Sequence, residues 1–264
     1  MTHFLPRPAF LAICLALGLA LAGCSSTPKN GIVQVATIDS LLAGVYDGHM
    51  TLGELTKHGD FGLGTFDQLD GEMILLDGVF YNARADGKVI LPPDSETTPF
   101  ATVTRFSPDS TGKLPSNLGS AGLEKLIDRL VPDQNRFCAF RVDGIFQKMR
   151  VRSVPAQSEP YPPLVEVTKT QPIFDYTNIR GTLVGFRSPA FVEGLNVPGY
   201  HIHFISEDRT RGGHVLDLVA KEGTLAVDAN LEWLSIFLPS RSGGFSGADL
   251  TKDRTRELRS VESE

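Results

Sequence analysis

From residue 32 onward the chain runs in short apolar or alternating stretches. IVQVATI (32–38) has strand composition, and DSLLAGVYDG after it reads as a short helical turn. A second short helix is expected around Leu52 and Leu55, stopped by Gly59. FGLGTF, GEMILL, VFYNAR and KVILP follow between 61 and 92, punctuated by Asp70-Gly71, Asp77-Gly78 and Asp86-Gly87. Asp-Gly pairs between alternating runs signal hairpins, because tight turns need the positive φ that Gly adopts freely. This half therefore reads as an antiparallel meander.

The period changes at 121–130. Leu123, Leu126, Ile127 and Leu130 stand at i, i+3, i+4 and i+7, the spacing of one helix face, with Ser120 placed to cap and Pro132 beyond the end. FCAFRV and IFQKMRVRSV then predict a hairpin that turns at Asp143-Gly144. PAQSEPYPP (155–163) has the composition of a boundary or a long crossover. Beyond it RGTLVGF, YHIHFI, HVLDLVA, TLAVDA and LEWLSIFL resume the strand pattern, and after Pro239 the chain becomes glycine-rich and then charged. The expected class is α+β: mixed or antiparallel sheets in two similar halves with few helices. The halves are an N-terminal β-rich domain over 32–154 and a C-terminal β domain over 164–239, followed by a tail at 240–264.

The N-terminus changes the compartment. Arg7 precedes about fifteen mostly apolar residues, too short a run for a stable span of roughly 20 residues but suited to a secretory signal. The run ends in LAGC, which resembles a bacterial lipoprotein signal, with 1–23 removed and Cys24 lipidated. Residues 24–31 would form a tether. The protein is then expected outside the cytoplasm, held at the cell envelope through its lipid alone, on the periplasmic face of the outer membrane in a Gram-negative cell. Net charge is −6, and cleavage would remove only Arg7 among charged side chains, so nucleic acid is not an expected partner. Beyond Cys14 and Cys24 only Cys138 remains, which rules out a disulfide framework in the mature chain.

GYHIHFISEDRTRGGHVLDL (199–218) concentrates three of the six histidines. Side chains at i and i+2 of a strand share a face, about 6.6 Å apart, so His201 and His203 project together while Ile202 and Phe204 face away. A polar loop ending in two glycines returns the chain at His214, which can face the pair. Three imidazoles from one hairpin form a metal set with an open coordination position, the pattern of a catalytic zinc. Iron, nickel, copper or cobalt would also accept three imidazoles. The same stretch resembles the first cupin metal motif, with Glu207 as a fourth ligand, but the flanking glycines are out of place and no second motif is visible.

GYHIHFISEDRTRGGHVLDL together with GDFGLGTFDQLDGEMILLDGVFYNARADGKV (59–89), FATVTRF and CAFRVDGIF resembles the alpha-acetolactate decarboxylase family, over nearly all of the chain from about residue 32. The resemblance implies that His201, His203 and His214 ligate Zn2+. It also implies active-site roles for Glu72 in the DGE turn, Thr65 in GTF and Arg141 in FRVDG. A further glutamate would come from the tail folding back over the metal; Glu262 in SVESE is the chosen match, with Glu257 and Glu264 nearby. His49 and His58 are left as structural residues.

The implied chemistry suits these residue types. Zinc on three neutral imidazoles keeps its charge to stabilise the enediolate left when 2-acetolactate loses carbon dioxide. A forked guanidinium holds a carboxylate or enediolate oxygen. Glu72 or Glu262 then delivers the proton that gives acetoin. Two other classes compete: a non-catalytic periplasmic metal-binding lipoprotein, and a cupin-like metal-dependent oxygenase. Zinc content and independence from oxygen would separate the latter. The expected partner is a small-molecule substrate, 2-acetolactate or a related 2-hydroxy-3-keto acid, and the hydrophobic sheets are compatible with a homodimer.

Overall fold

The structure, a computed structural model, describes Met1, residues 30–240 and residues 243–263. The signal segment beyond Met1, Cys24 and most of the tether lie outside the described residues, as does Glu264. The first part of the chain forms β1 (Gly31–Val35), α1 (Ile38–Leu42), β2 (Met50–Thr51), α2 (Leu52–Leu55), β3 (Phe61–Thr65), β4 (Glu72–Leu76), β5 (Val79–Ala83) and β6 (Val89–Ile90). Next come β7 (Thr97–Thr98), β8 (Ala101–Thr104), β9 (Ser110–Lys113), β10 (Leu118–Gly119), α3 (Ser120–Leu130) and β11 (Phe137–Arg152). The remainder holds α4 (Leu164–Thr168), β12 (Ile173–Ser188), β13 (Gly199–Ser206), β14 (Gly212–Leu231), β15 (Trp233–Phe237), α5 (Gly244–Gly247) and α6 (Thr255–Ser263). None of the described helices is long and apolar enough to cross a membrane.

Two large sheets carry the fold, in keeping with the α+β expectation. A seven-stranded sheet has the order β15-β1-β8-β3-β4-β5-β6, antiparallel except where β15 runs parallel to β1. The second has the order β10-β14-β11-β12-β13 with β9 on β14, and β13 also pairs back onto β14. Strands β11, β12, β13 and β14 are thus joined in a ring of pairings. One face of these strands gathers Phe140, Phe146, Leu183 and Phe204 with Leu123 and Ile127 of α3. The opposite face packs Ala139, Val184, Phe186 and Ile205 against Ile32, Phe61 and Ile74 of the first sheet. Burying both faces of each sheet is what turns the short apolar runs into near-continuous buried strands.

Three expectations are corrected. The division into halves at 155–163 does not follow the sheets: β9, β10 and β11 belong with the second sheet, and β15 returns to the first. The proline-rich segment instead packs on the first half of the chain, where the Gln157 amide donates to Gln68 O and the Tyr46 hydroxyl to Pro162 O. The hairpin at Asp143-Gly144 is absent, because β11 runs unbroken through it. Gly144 pairs with Gly181 on β12 and with Gly223 on β14, and a Cβ there would lie 2.4 Å from Glu222 O. This glycine permits close approach between strands rather than a turn. Finally, Ser120 is the first residue of α3 and not its cap. Its hydroxyl donates to Asp217 Oδ1 and accepts from the Leu218 amide, tying the helix to β14.

Candidate active site

Strand alternation sends Ile202 and Phe204 into the apolar core and His201 and His203 to the opposite face, towards β4. Gly213 opens the way for the third histidine. It has φ +147, and a Cβ there would lie 2.4 Å from Arg152 O. With glycine in place, β14 fits between β13 and β11, and His214 pairs directly with His203 on one side and Arg152 on the other. All three imidazoles are buried, with one ring nitrogen from each lying within 4.8 Å of the others.

Burial makes these rings metal ligands in waiting. Loss of solvent lowers the proton affinity of His201 to about 3 and drives His203 and His214 well below the usual imidazole range, so all three are neutral. His203 donates Nδ1–H to the Met73 carbonyl at 2.7 Å, which fixes the tautomer and leaves Nε2 as a lone-pair donor. His203 Nε2 and His214 Nδ1 have no hydrogen-bond partner within the protein. Unsatisfied buried nitrogens are costly, and ligation of one divalent ion would relieve them. The donor set therefore fits a metal, and among the described residues it is the group of His, Cys, Asp and Glu close enough to hold one.

The residues around this set come from three parts of the chain. Glu72 opens β4 and pairs in register with Thr65 at the end of β3. Its Oε2 lies 3.5 Å from His203 Nε2, and its Oε1 accepts from Arg152 Nη1 at 3.1 Å. Thr65 lines the same cavity while its hydroxyl donates to Gly71 O at 2.7 Å, bracing the turn that presents Glu72. Glu262 arrives on α6, with Oε2 3.8 Å from His214 Nε2. This helix is seated by buried Leu258 and Val261, and Arg152 Nη2 donates to Val261 O. Burial raises both carboxyls to about 7, against the opposing pull of Arg152. Thr65, Glu72, Arg152, His201, His214 and Glu262 surround a cavity of about 40 Å³ whose other wall is apolar. A larger cleft of about 490 Å³ lies beyond α6 and is also bordered by Glu262.

Arg141 is not brought to this site. Its guanidinium donates to Asp77 and to both carboxylate oxygens of Asp143 at the protein surface. The arginine that faces the histidines is Arg152, at the far end of the same strand and 4% exposed. Sequence alternation hid it. Phe140, Val142 and Phe146 face the core, but after exposed Gln147 and Lys148 the buried phase resumes at Met149 and Val151. A strict period of two from Phe146 would have sent Arg152 into that core. The one available signal was an arginine closing the strand after Met149 and Val151, directly before Ser153 and Val154. The cupin ligand candidate Glu207 also lies elsewhere, past the end of β13 with a 73% exposed side chain near Arg180.

Known proteins resemble this chain over most of its length. The family described as alpha-acetolactate decarboxylase matches residues 32–252. The alpha-acetolactate decarboxylase of Methanosarcina mazei is 47% identical over 241 residues, 90% of this chain and 82% of that protein. That of Bacillus subtilis is 42% identical over 240 residues, 91% of this chain and 94% of the relative. A crystal structure of the Bacillus subtilis enzyme superimposes with a TM-score of 0.86 at 42% identity, covering 89% of this chain and 100% of that one. A Staphylococcus aureus structure, described as a protein of unknown function similar to alpha-acetolactate decarboxylase, gives a TM-score of 0.84 at 33% identity, covering 88% of this chain and 100% of that one. The chain is an enzyme, a lyase, and belongs to the alpha-acetolactate decarboxylase family.

Proposed function

We propose that the protein decarboxylates 2-acetolactate to acetoin with Zn2+ on His201, His203 and His214. The observation that carries this reading is the juxtaposition of three neutral, partly unsatisfied imidazoles with a buried arginine, the buried Glu72 carboxyl and the largely shielded Glu262 carboxyl. When bound, the ion supplies positive charge for the enediolate oxygens that remain once carbon dioxide has left.

The chain's own groups do the rest. Arg152 holds the substrate carboxylate or an adjacent oxygen, since a guanidinium keeps its charge and presents a fork of donors. The bond between the carboxylate carbon and its neighbour breaks, and the electron pair stays on the enediolate. A carboxyl whose proton affinity burial has raised to about 7 can retain its proton near neutrality and deliver it to carbon. Arg152 hydrogen-bonds Glu72 and the Val261 carbonyl, and Glu262 Oε2 has no hydrogen-bond partner in the protein. Glu262 is therefore the preferred donor, with Glu72 positioned by Arg152. Burial under α6 keeps bulk water from the reacting carbon.

Acetoin release from racemic 2-acetolactate, with a chelator and with zinc restored, tests the reading. Release stopped by the chelator and recovered with zinc supports it; a folded, zinc-loaded protein that releases none contradicts it. We also propose export and lipid anchoring at Cys24, on the strength of LAGC after the apolar run. Cys24→Ser should release the protein from membranes, and unchanged membrane attachment would defeat that reading.

A further inference from the structure

Glu262 reaches the histidines at the end of a lever. It stands about 12 Å along the helix axis from Arg254, so a tilt of about 10° at the start of α6 would move its carboxyl by about 2 Å. Leu258 and Val261 seat one face of the helix in an apolar cluster, but such contact is non-directional and leaves tilt and axial register open. The directional ties lie at the helix start. Arg254, directly before α6 and 7% exposed, accepts the Leu258 amide on its carbonyl. With Asp39, Glu193 and Gly194 it lines a crevice of about 380 Å³. Next to it, Thr255 Oγ1 lies 2.6 Å from Glu193 Oε1.

The surface that receives these ties is continuous with the histidine frame. The Ile38 and Asp39 amides at the start of α1 donate to Leu195 O and Gly194 O, and that segment runs through buried Asn196 and Val197 into β13 and His201. Burial raises the proton affinity of the Asp39 carboxyl, the Arg254 guanidinium opposes the rise, and Asp253, Glu257 and Glu193 add to it. Arg254 thus supplies positive charge to a group of carboxyls that would otherwise repel one another. Glu257, 3.8 Å from Arg254 Nε, travels with α6 and cannot anchor it, whereas Asp39 belongs to α1 and can. Resting on the decarboxylase reading above, we infer that Arg254 is a positioning residue: held against Asp39, with Thr255 tied to Glu193, it sets the pose of α6 and so the place of the Glu262 carboxyl beside His214.

A double-mutant cycle on the full chain, with 2-acetolactate as substrate, tests this. Arg254→Gln should lower kcat about tenfold, with KM and metal content near those of the wild type. In a Glu262→Gln background the same change should alter kcat by less than about twofold, because no carboxyl is left to be placed. Asp39→Asn leaves the guanidinium intact and should show a smaller loss with the same dependence on Glu262, which keeps the test valid if the glutamine variant does not fold. Equal fold losses in the two backgrounds, loss of metal, or unchanged kcat in the folded variants would overturn the role of Arg254 alone. A wild type that binds zinc and releases no acetoin would instead remove the decarboxylase reading, and this inference with it.

Discussion

Strand β11 carries an arginine near each end, and each stands between two carboxyl groups. Arg141 lies between Asp77 and Asp143, and Arg152 between Glu72 and Glu262. The residue types match; the surroundings do not. The carboxylates around Arg141 are 66% and 49% exposed, so water screens the pairs and little of their energy reaches stability. Around Arg152, Glu72 is buried and Glu262 only 18% exposed, both carboxyls are raised to about 7, and the arginine also meets the histidine row through His214. The contrast teaches that burial, rather than an inventory of charged residues, makes one end of the strand chemically competent. Burial costs energy as well, and so it leaves the charged group few alternative partners.

Replacing a metal ligand should have the largest effect. His214→Ala is expected to lose bound metal and turnover together, read by elemental analysis and acetoin assay; full metal and activity would break the account. Next is the proton donor. Glu262→Gln should lower kcat by about 10²-fold or more, with metal retained. Glu257→Gln on the same helix, whose carboxylate meets Lys252 and Arg254, should change kcat little. Equal effects would erase the distinction between a carboxyl beside the histidines and one held by Lys252 and Arg254.

A pH titration gives a third check. Burial lowers the imidazole proton affinities, so each ring stays neutral as pH falls through the ordinary 6.5, and protons compete with the metal only further down. Metal should therefore stay bound on transfer from about pH 7.5 to about pH 5.5, and loss with a midpoint near 6.5 would contradict the burial argument. The smallest effect belongs to the exposed end. Arg141→Ala should cost at most about 1 kcal/mol in unfolding free energy, as measured by denaturant titration. A loss of several kcal/mol would mean that the Asp77–Arg141–Asp143 group is structurally central.

Much of this was legible in the chain because the signals are local. The shared face of His201 and His203 follows from a period of two, and Asp70-Gly71 announces the turn before Glu72. The placement of Glu262 came with the family resemblance, since composition alone makes the tail look solvated. What stayed hidden depends on partners distant in sequence. Gly144 looks like a turn residue until Gly181 and Gly223 stand on either side of it. Nothing local tells Trp233–Phe237 to lie parallel to Gly31–Val35 and mix the two apparent halves. Arg152 was missed because the buried phase of β11 shifts between Phe146 and Met149, which one strand read alone cannot reveal.

The most direct test of the central claim compares Arg152→Lys with Arg141→Lys, each with zinc content matched to the wild type, in the acetoin-release assay. Lysine keeps the charge but loses the fork. The account predicts a fall in kcat/KM of about 10² to 10³-fold for Arg152→Lys and near wild-type turnover for Arg141→Lys. The reverse order would contradict the assignment of the chemistry to the buried end of β11.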